Sequence, residues 1–139
     1  MIILDTNVIS EPMRLIPDAA AAAWMRRQAI GEVFVTTISE AEMRFGIERL
    51  PPGRKRDLLD AQITAAFEGD FRGRVLAFDS PAAHAHGEIV ARIKRGGRDM
   101  APLDAQIAAI AYVRGALLAT RNIRHFEDCG IDLVDPWSA

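Results

Sequence analysis

The 139-residue chain has one cysteine, Cys129, so no intramolecular disulfide can staple it. A small, half-buried hydrophobe near a turn is the simplest account of that thiol. Long apolar runs are missing too, since none approaches the about 20 residues a bilayer-spanning helix requires. The N-terminus enters a strand-like segment with an acid at position 5, unlike a secretion signal, so a cytoplasmic protein is expected. Lysine is scarce: of 17 basic residues only Lys55 and Lys94 are lysines. The others are arginines, whose planar forks suit phosphate and carboxylate. A net charge of −2 gives no global pull toward nucleic acid. The basic clusters Arg54-Lys55-Arg56 and Arg92-Ile93-Lys94-Arg95, with Arg98 beyond, are equally well explained as solvated helix ends. Glycine-rich phosphate loops, Ser-His-Asp sets and zinc-ligand spacings are absent. His84 and His86 stand two apart and cannot grip one metal from a helix, while His125 is solitary and reads as structural.

What remains is an ordinary globular balance, 50% hydrophobic and 26% charged, in a length that makes one domain over residues 1–139. Strand and helix patterns alternate. Residues 2–5, Val33 to Thr36, Val75 to Phe78, Leu117 to Thr120 and Asp132 to Val134 read as strands. Between them, helices are predicted over Asp18 to Gln28, Ser39 to about Leu50 and Arg54 to Glu68. Two more run from Asp79-Ser80-Pro81 to Gly96-Gly97 and onward from Pro102. Strands separated by helices imply a mostly parallel, roughly five-stranded sheet with helices on both faces, an α/β/α sandwich. The apolar helix after Pro102 should be its most buried. Trp24 and Trp137 read as packing residues.

Four polar side chains fall where such a fold would gather them, beyond the carboxyl ends of strands. Asp5 closes a buried-type run; it either holds a cation or makes an Asx-turn with Thr6-Asn7. Glu42 fits a capping box in which Ser39 caps the helix and Glu42 reaches back to it, though a first-turn carboxylate can also face the crevice. Glu40, two positions earlier, faces elsewhere and is expected in solvent. Asp104 leads the apolar helix, where the helix dipole alone would favour an acid. Asn122 can offer a neutral carbonyl oxygen or simply serve a turn. Arg121 and Arg124 beside it are suited to phosphate. A cluster of carboxylates must hold a cation or protonate, so a divalent-metal site leads.

The opening Met-Ile-Ile-Leu-Asp-Thr-Asn-Val-Ile-Ser-Glu-Pro resembles that of PIN-domain ribonucleases, and more narrowly the VapC toxins of the FitB-like branch. Ser39 to Ile47 is similar to their second motif, Pro102-Leu103-Asp104 with Ile107-Ala108 to their third. Ala119 to Asn122 with Phe126, and Asp135-Pro136-Trp137, resemble their close, so the likeness runs from residue 1 to 137. It implies a PIN-like fold and a Mg²⁺- or Mn²⁺-dependent endoribonuclease, the toxin of a toxin–antitoxin pair, acting on structured RNA such as tRNA. By the same resemblance Asp5, Glu42 and Asp104 are catalytic, Asp5 and Asp104 hold the metal, and Glu42 is a ligand or a water orienter. It further implies homodimers, a VapB-like antitoxin and a higher heteromeric assembly. The antitoxin's groove is expected on the amphipathic helices Ser39 to Leu50 and Arg54 to Glu68, with Met43, Phe45, Ile47 and Leu50 of the first as its contacts, though core packing explains some of them equally well. The chain departs from the pattern twice: Asn122 stands where the wider family often has Asp, and His125 replaces a further acid.

Two other classes compete. Loss of the fourth acid could leave a catalytically weak module that binds RNA or a protein. A receiver-like signalling domain is also doubly wound with clustered acids; Asp79 would be its phosphoacceptor, but Arg121 stands where it needs a lysine.

Overall fold

A computed structural model describes residues 1–139. The central strand β1 (Ile2–Leu4) leads into a one-turn helix α1 (Thr6–Ser10), a 3-10 turn and α2 (Ala19–Arg26), which Asp18 caps as expected. Next come β2 (Val33–Thr36), α3 (Thr37–Glu48), α4 (Arg54–Thr64), β3 (Val75–Leu76) and α5 (Ser80–Arg95). The chain closes with α6 (Pro102–Arg114), β4 (Leu117–Ala119) and β5 (Asp132–Val134). The strand order is β3-β2-β1-β4-β5 and every pairing is parallel, so the mostly parallel expectation becomes a wholly parallel sheet.

Alternation along the strands builds the two helical layers. Ile3 and Leu118 point into a core shared with Ile89, Ile93 and Ile107 of α5 and α6. Leu4 and Ala119, one residue on, face Trp24, Met43, Ile47 and Ile63 of α2, α3 and α4. As expected, α6 is the most buried helix, with Ala105 and the run Ile107 to Ala111 all inside. It ends at Gly115, whose φ of +60° lets the chain turn into β4 without the penalty a side chain would meet. No helix is long and apolar enough to cross a membrane. Cys129 is fully buried rather than half-buried.

Several boundaries differ from the sequence pattern, three of them by half an element, by helix type or with consequence for the site. The third strand stops at Leu76 because its partner β2 stops at Thr36, leaving Ala77 and Phe78 nothing to pair with. The helix begun at Arg54 widens into a π-helical stretch, Ala65–Asp70, before its end. Most consequential, α3 begins two residues before Ser39. Thr36 is its cap, with the Ser39 N–H donating to Thr36 Oγ1 at 3.2 Å. Thr36 is extended (φ −122°, ψ 156°) and still belongs to β2, so one residue ends the strand and starts the helix.

The sheet reverses direction of growth at β1: the chain adds β2 and β3 on one side, then crosses to β4 and β5 on the other. Ligand crevices in such folds open at that switch, past the strand ends, here between β1 and β4.

Because the Thr36 hydroxyl is fully buried and caps α3, Thr36→Val should lower unfolding free energy by about 1 kcal/mol. Urea denaturation measures it; an unchanged midpoint would return the cap to Ser39.

Candidate active site

The pairing of β1 with β4 puts Asp5 beside Thr120, each one residue past the last bridged pair, Leu4 with Ala119. The Asp5 N–H still donates to the Ala119 carbonyl at 2.9 Å, so its position is fixed by the sheet. Its side chain is buried and heavily engaged. Oδ1 accepts from the Thr6 N–H at 2.8 Å; Oδ2 accepts from Thr120 Oγ1 at 2.7 Å and Asn7 Nδ2 at 3.3 Å. A carboxylate offers about four acceptor positions, so roughly one remains for an outside group. The Asp5 side chain thus caps α1 at the Thr6 amide, one residue on where an Asx-turn would reach two, and this contact coexists with the crevice instead of replacing it.

Glu42 loses its capping role. With α3 starting at Thr37, Glu42 lies in the second turn, too far along to reach the first amides. Its Oε1 instead lies 3.0 Å from Thr6 Oγ1, which is also 2.9 Å from Ser39 Oγ. The one Thr6 proton serves the carboxylate, and the serine hydroxyl can turn its own toward Thr6. Thr6 thus binds Asp5 through its backbone and Glu42 through its side chain.

Asp104 completes the set from the first turn of α6, half-buried, with Oδ2 at 3.4 Å from His125 Nδ1. Sequence reasoning left His125 as structural, yet it faces the acid cluster. Asn122 is exposed, and it is the Asn122 backbone N–H, donating to Thr120 Oγ1 at 3.0 Å, that joins the network. Arg121 and Arg124 are exposed beside it, with the Arg121 N–H donating to Asn7 Oδ1 at 3.3 Å. The sequence pattern assigns Ser39 to a cap and Thr6-Asn7 to a turn and gives Thr120 no role; none of the four is expected in the site, where all of them bond. Their common signal is a short polar residue within a few positions of a strand's carboxyl end.

The electrostatics are those of crowded acids. Burial pushes the Asp5 carboxyl above the usual carboxylate range, against the opposing effect of its hydrogen bonds with Thr120 and Thr6. Glu42 is raised by burial and then by the charges of Asp5 and Asp104, with Thr6 opposing. Asp104 is raised by burial and then by Asp5, with His125 opposing. Each acid is thus held in a place unfriendly to its own charge, and Glu42 and Asp104 also feel their neighbours. The donor set, three oxygen-bearing acids and one amide, suits a hard divalent cation. No three His, Cys, Asp or Glu side chains close to mutual ligand distance; an ion that keeps several waters tolerates that spacing.

A groove of about 480 Å³ opens beside Glu42, lined by Ile38, Phe45, Arg49, Leu103 and Gln106. An apolar cavity of about 490 Å³ under Leu4, Val8 and Phe71 contains none of the three acids. The four expected antitoxin contacts divide. Met43 and Ile47, 7% and 3% exposed, share the inward face of α3 with Ser39 and belong to the core. Leu50 is half-buried, and Phe45, 63% exposed, lines the groove. Asp79, the receiver-type alternative, caps α5 by accepting from the Ala82 N–H at 3.0 Å, and it lies outside the acid network.

A wholly parallel α/β/α sandwich with buried acids at its switch point is the architecture of PIN domains, and residues 2–130 match that family: the chain belongs to it. It is 37% identical over 137 residues to the VapC ribonuclease Y4jK of Sinorhizobium fredii, covering 99% of this chain and 98% of that one. With the plasmid stability protein StbB of Pseudomonas syringae it shares 40% identity over 139 residues and the full length of both. Toxin FitB of Neisseria gonorrhoeae is 35% identical over 99% of each chain. The crystal structure of FitAcB from that organism superposes with a TM-score of 0.93 at 34% identity over the whole of both chains.

A carboxyl whose folded pKa exceeds its unfolded value binds more protons folded than unfolded across that interval. The stability contributed by Asp5, Glu42 and Asp104 is therefore full below the ordinary carboxylate range and lost as pH rises through their raised folded values. Metal-free protein should melt at a higher temperature in mildly acidic than in neutral buffer. Glu42→Gln should raise the neutral-pH melting temperature and blunt that slope. A melting temperature flat in pH for the unsubstituted protein would contradict the crowding.

Proposed function

We propose that this protein is a metal-dependent endoribonuclease and the toxin of a toxin–antitoxin pair. The observation that carries the reading is the set of three crowded carboxylates, Asp5, Glu42 and Asp104, at the sheet's switch point. The names of its relatives, ribonuclease and toxin, support it.

Asp5 and Asp104 would hold Mg²⁺ or Mn²⁺, with Glu42 as a further ligand or as the orienter of a water. Asn122, exposed and neutral, is at most a weak or water-mediated member. A bound ion of this kind lowers the pKa of water and neutralises charge on the attacked phosphate. The chain's own residues supply the rest. Three donors fix the Asp5 carboxylate before substrate arrives, so little reorganisation is needed. Glu42, held by the Thr6 hydroxyl at 3.0 Å, would take the proton of the attacking water. His125 Nδ1, 3.4 Å from Asp104 Oδ2, opposes the rise in that carboxyl's proton affinity. Arg121 and Arg124 at the rim would contact RNA phosphates.

Accessible backbone favours unpaired loops over duplex, which makes a structured RNA such as tRNA the substrate class. The partners are a second copy of the chain and a VapB-like antitoxin that blocks the crevice, with a higher assembly of both. Among the four apolar contacts proposed for the antitoxin, Phe45 is the one positioned to make them, at the groove beside Glu42.

Cleavage of total RNA and tRNA by antitoxin-free protein, in Mn²⁺ or Mg²⁺ against EDTA, tests this reading. Asp5→Asn should slow cutting by on the order of 10²-fold or more, since a bound ion supplies several kcal/mol of charge stabilisation that loss of a ligand forfeits. Folded protein that cuts neither RNA would favour the binding module, while cutting that persists equally in EDTA and with Asp5→Asn would contradict the metal site. Asn122→Asp would then be the variant to examine for recovered activity.

A further inference from the structure

Trp137 is not explained by the carboxylate site or by packing alone. Its indole N–H is buried with no acceptor, a placement that costs the ring the hydrogen bond a buried tryptophan ordinarily keeps. The placement is nevertheless well defined: the Trp137 N–H donates to Asp135 Oδ1 at 2.9 Å and the Ser138 N–H to the Asp135 carbonyl at 3.1 Å. Over the ring, 4.9 Å from its centre, lies the guanidinium of Arg121. That arginine makes none of the ion pairs in the structure. Its charge is held by a π face and left unneutralised.

The other end of Arg121 is tied to the candidate active site. Its N–H donates to Asn7 Oδ1, and Asn7 Nδ2 donates to Asp5 Oδ2. Its chain neighbour Thr120 donates to the same oxygen of Asp5. A relay of short contacts therefore runs from the central carboxylate through Asn7 to the Arg121 backbone, and the indole fixes the side chain beyond it. A free arginine loses rotamer entropy when it binds phosphate; one already laid on a tryptophan has lost much of it beforehand. Stacking leaves the edge N–H groups of the guanidinium available for a phosphate oxygen.

We propose that Trp137 is a positioning residue for RNA: it holds Arg121 beside the carboxylate cluster so that the guanidinium takes a backbone phosphate next to the one being cut. The proposal rests on the nuclease reading above. It treats the unsatisfied indole N–H as the cost of a functional placement, and it gives the closing Asp135-Pro136-Trp137 segment a task in substrate binding.

The test is RNA affinity on the Asp5→Asn protein, using fluorescein-labelled unfractionated tRNA across a salt series, so that cleavage plays no part. Arg121→Ala should weaken binding several-fold or more and lower the slope of log K against log[salt] by about one, the signature of one lost phosphate contact. Trp137→Leu should weaken binding several-fold in the Arg121 protein and have no further effect in the Arg121→Ala protein. Trp137→Phe, which keeps a π face and drops the orphaned N–H, should recover most of the affinity and melt no lower than the parent. That variant guards against Trp137→Leu failing to fold. If Trp137→Leu is folded and costs as much with Arg121 removed as with it present, the ring does not act through the arginine and the proposal fails. Unchanged affinity and slope in Arg121→Ala also overturns it while leaving the nuclease reading intact. Failure of the parent protein to bind tRNA at all would instead remove the reading on which the proposal stands.

Discussion

An acid buried to 5% exposure stands at the end of the central strand, and the rest of the site is arranged around the cost of keeping it there. Bare, the Asp5 carboxylate would be too expensive to hold ionised. The fold offsets part of the cost with three hydrogen bonds, from the Thr6 backbone, the Thr120 hydroxyl and the Asn7 amide. Even so, burial outweighs them and the group's proton affinity stays above normal. An acid that three donors cannot fully satisfy suits a neighbouring positive charge, which a divalent cation would supply without protonating the group.

The same constraint explains why the hydroxyls matter as much as the acids. Thr36 turns β2 into α3 and so sets the phase of the helix that carries Glu42. Thr6 bridges Asp5 and Glu42 across elements 36 residues apart in sequence. Thr120 donates to Asp5 and accepts from the Asn122 backbone, which binds the loop after β4 to the strand before α1. These small side chains add no charge to a site already crowded with it. They fix geometry in advance, which is what makes a polar site effective when charge later develops on a substrate.

Much of this was legible in the sequence, because buried parallel strands and amphipathic helices announce themselves by period and by length. Asp5 and Asp104 stand out because one closes a strand and the other opens a buried helix, whereas Glu42, in the second turn of α3, is singled out by the resemblance of Ser39 to Ile47 to the family's second motif. The start of α3 could not be read. Thr36 and Ser39 are both good caps, and only the register of β2 decides between them. That error in phase also gave Glu42 a false competing role. Met43 and Ile47 illustrate a different limit: an amphipathic helix shows which residues are apolar, while tertiary packing decides which of them it hides and which, like Phe45, it leaves out. The pairing of His125 with Asp104 is not legible because the two lie 21 positions apart, on elements that sequence spacing does not connect. The Arg121–Trp137 stack was hidden for the same reason.

The central claim is that Asp5, Glu42 and Asp104 share one cation at the switch point between β1 and β4. Anomalous diffraction from crystals of the protein grown with Mn²⁺ tests it most directly. The expected result is a single strong peak among the three carboxylates, with oxygen ligands from Asp5 and Asp104, Glu42 bound directly or through a water, and waters filling the remaining positions. Manganese bound only elsewhere, with the three acids left as a hydrogen-bonded cluster of their own, would contradict it.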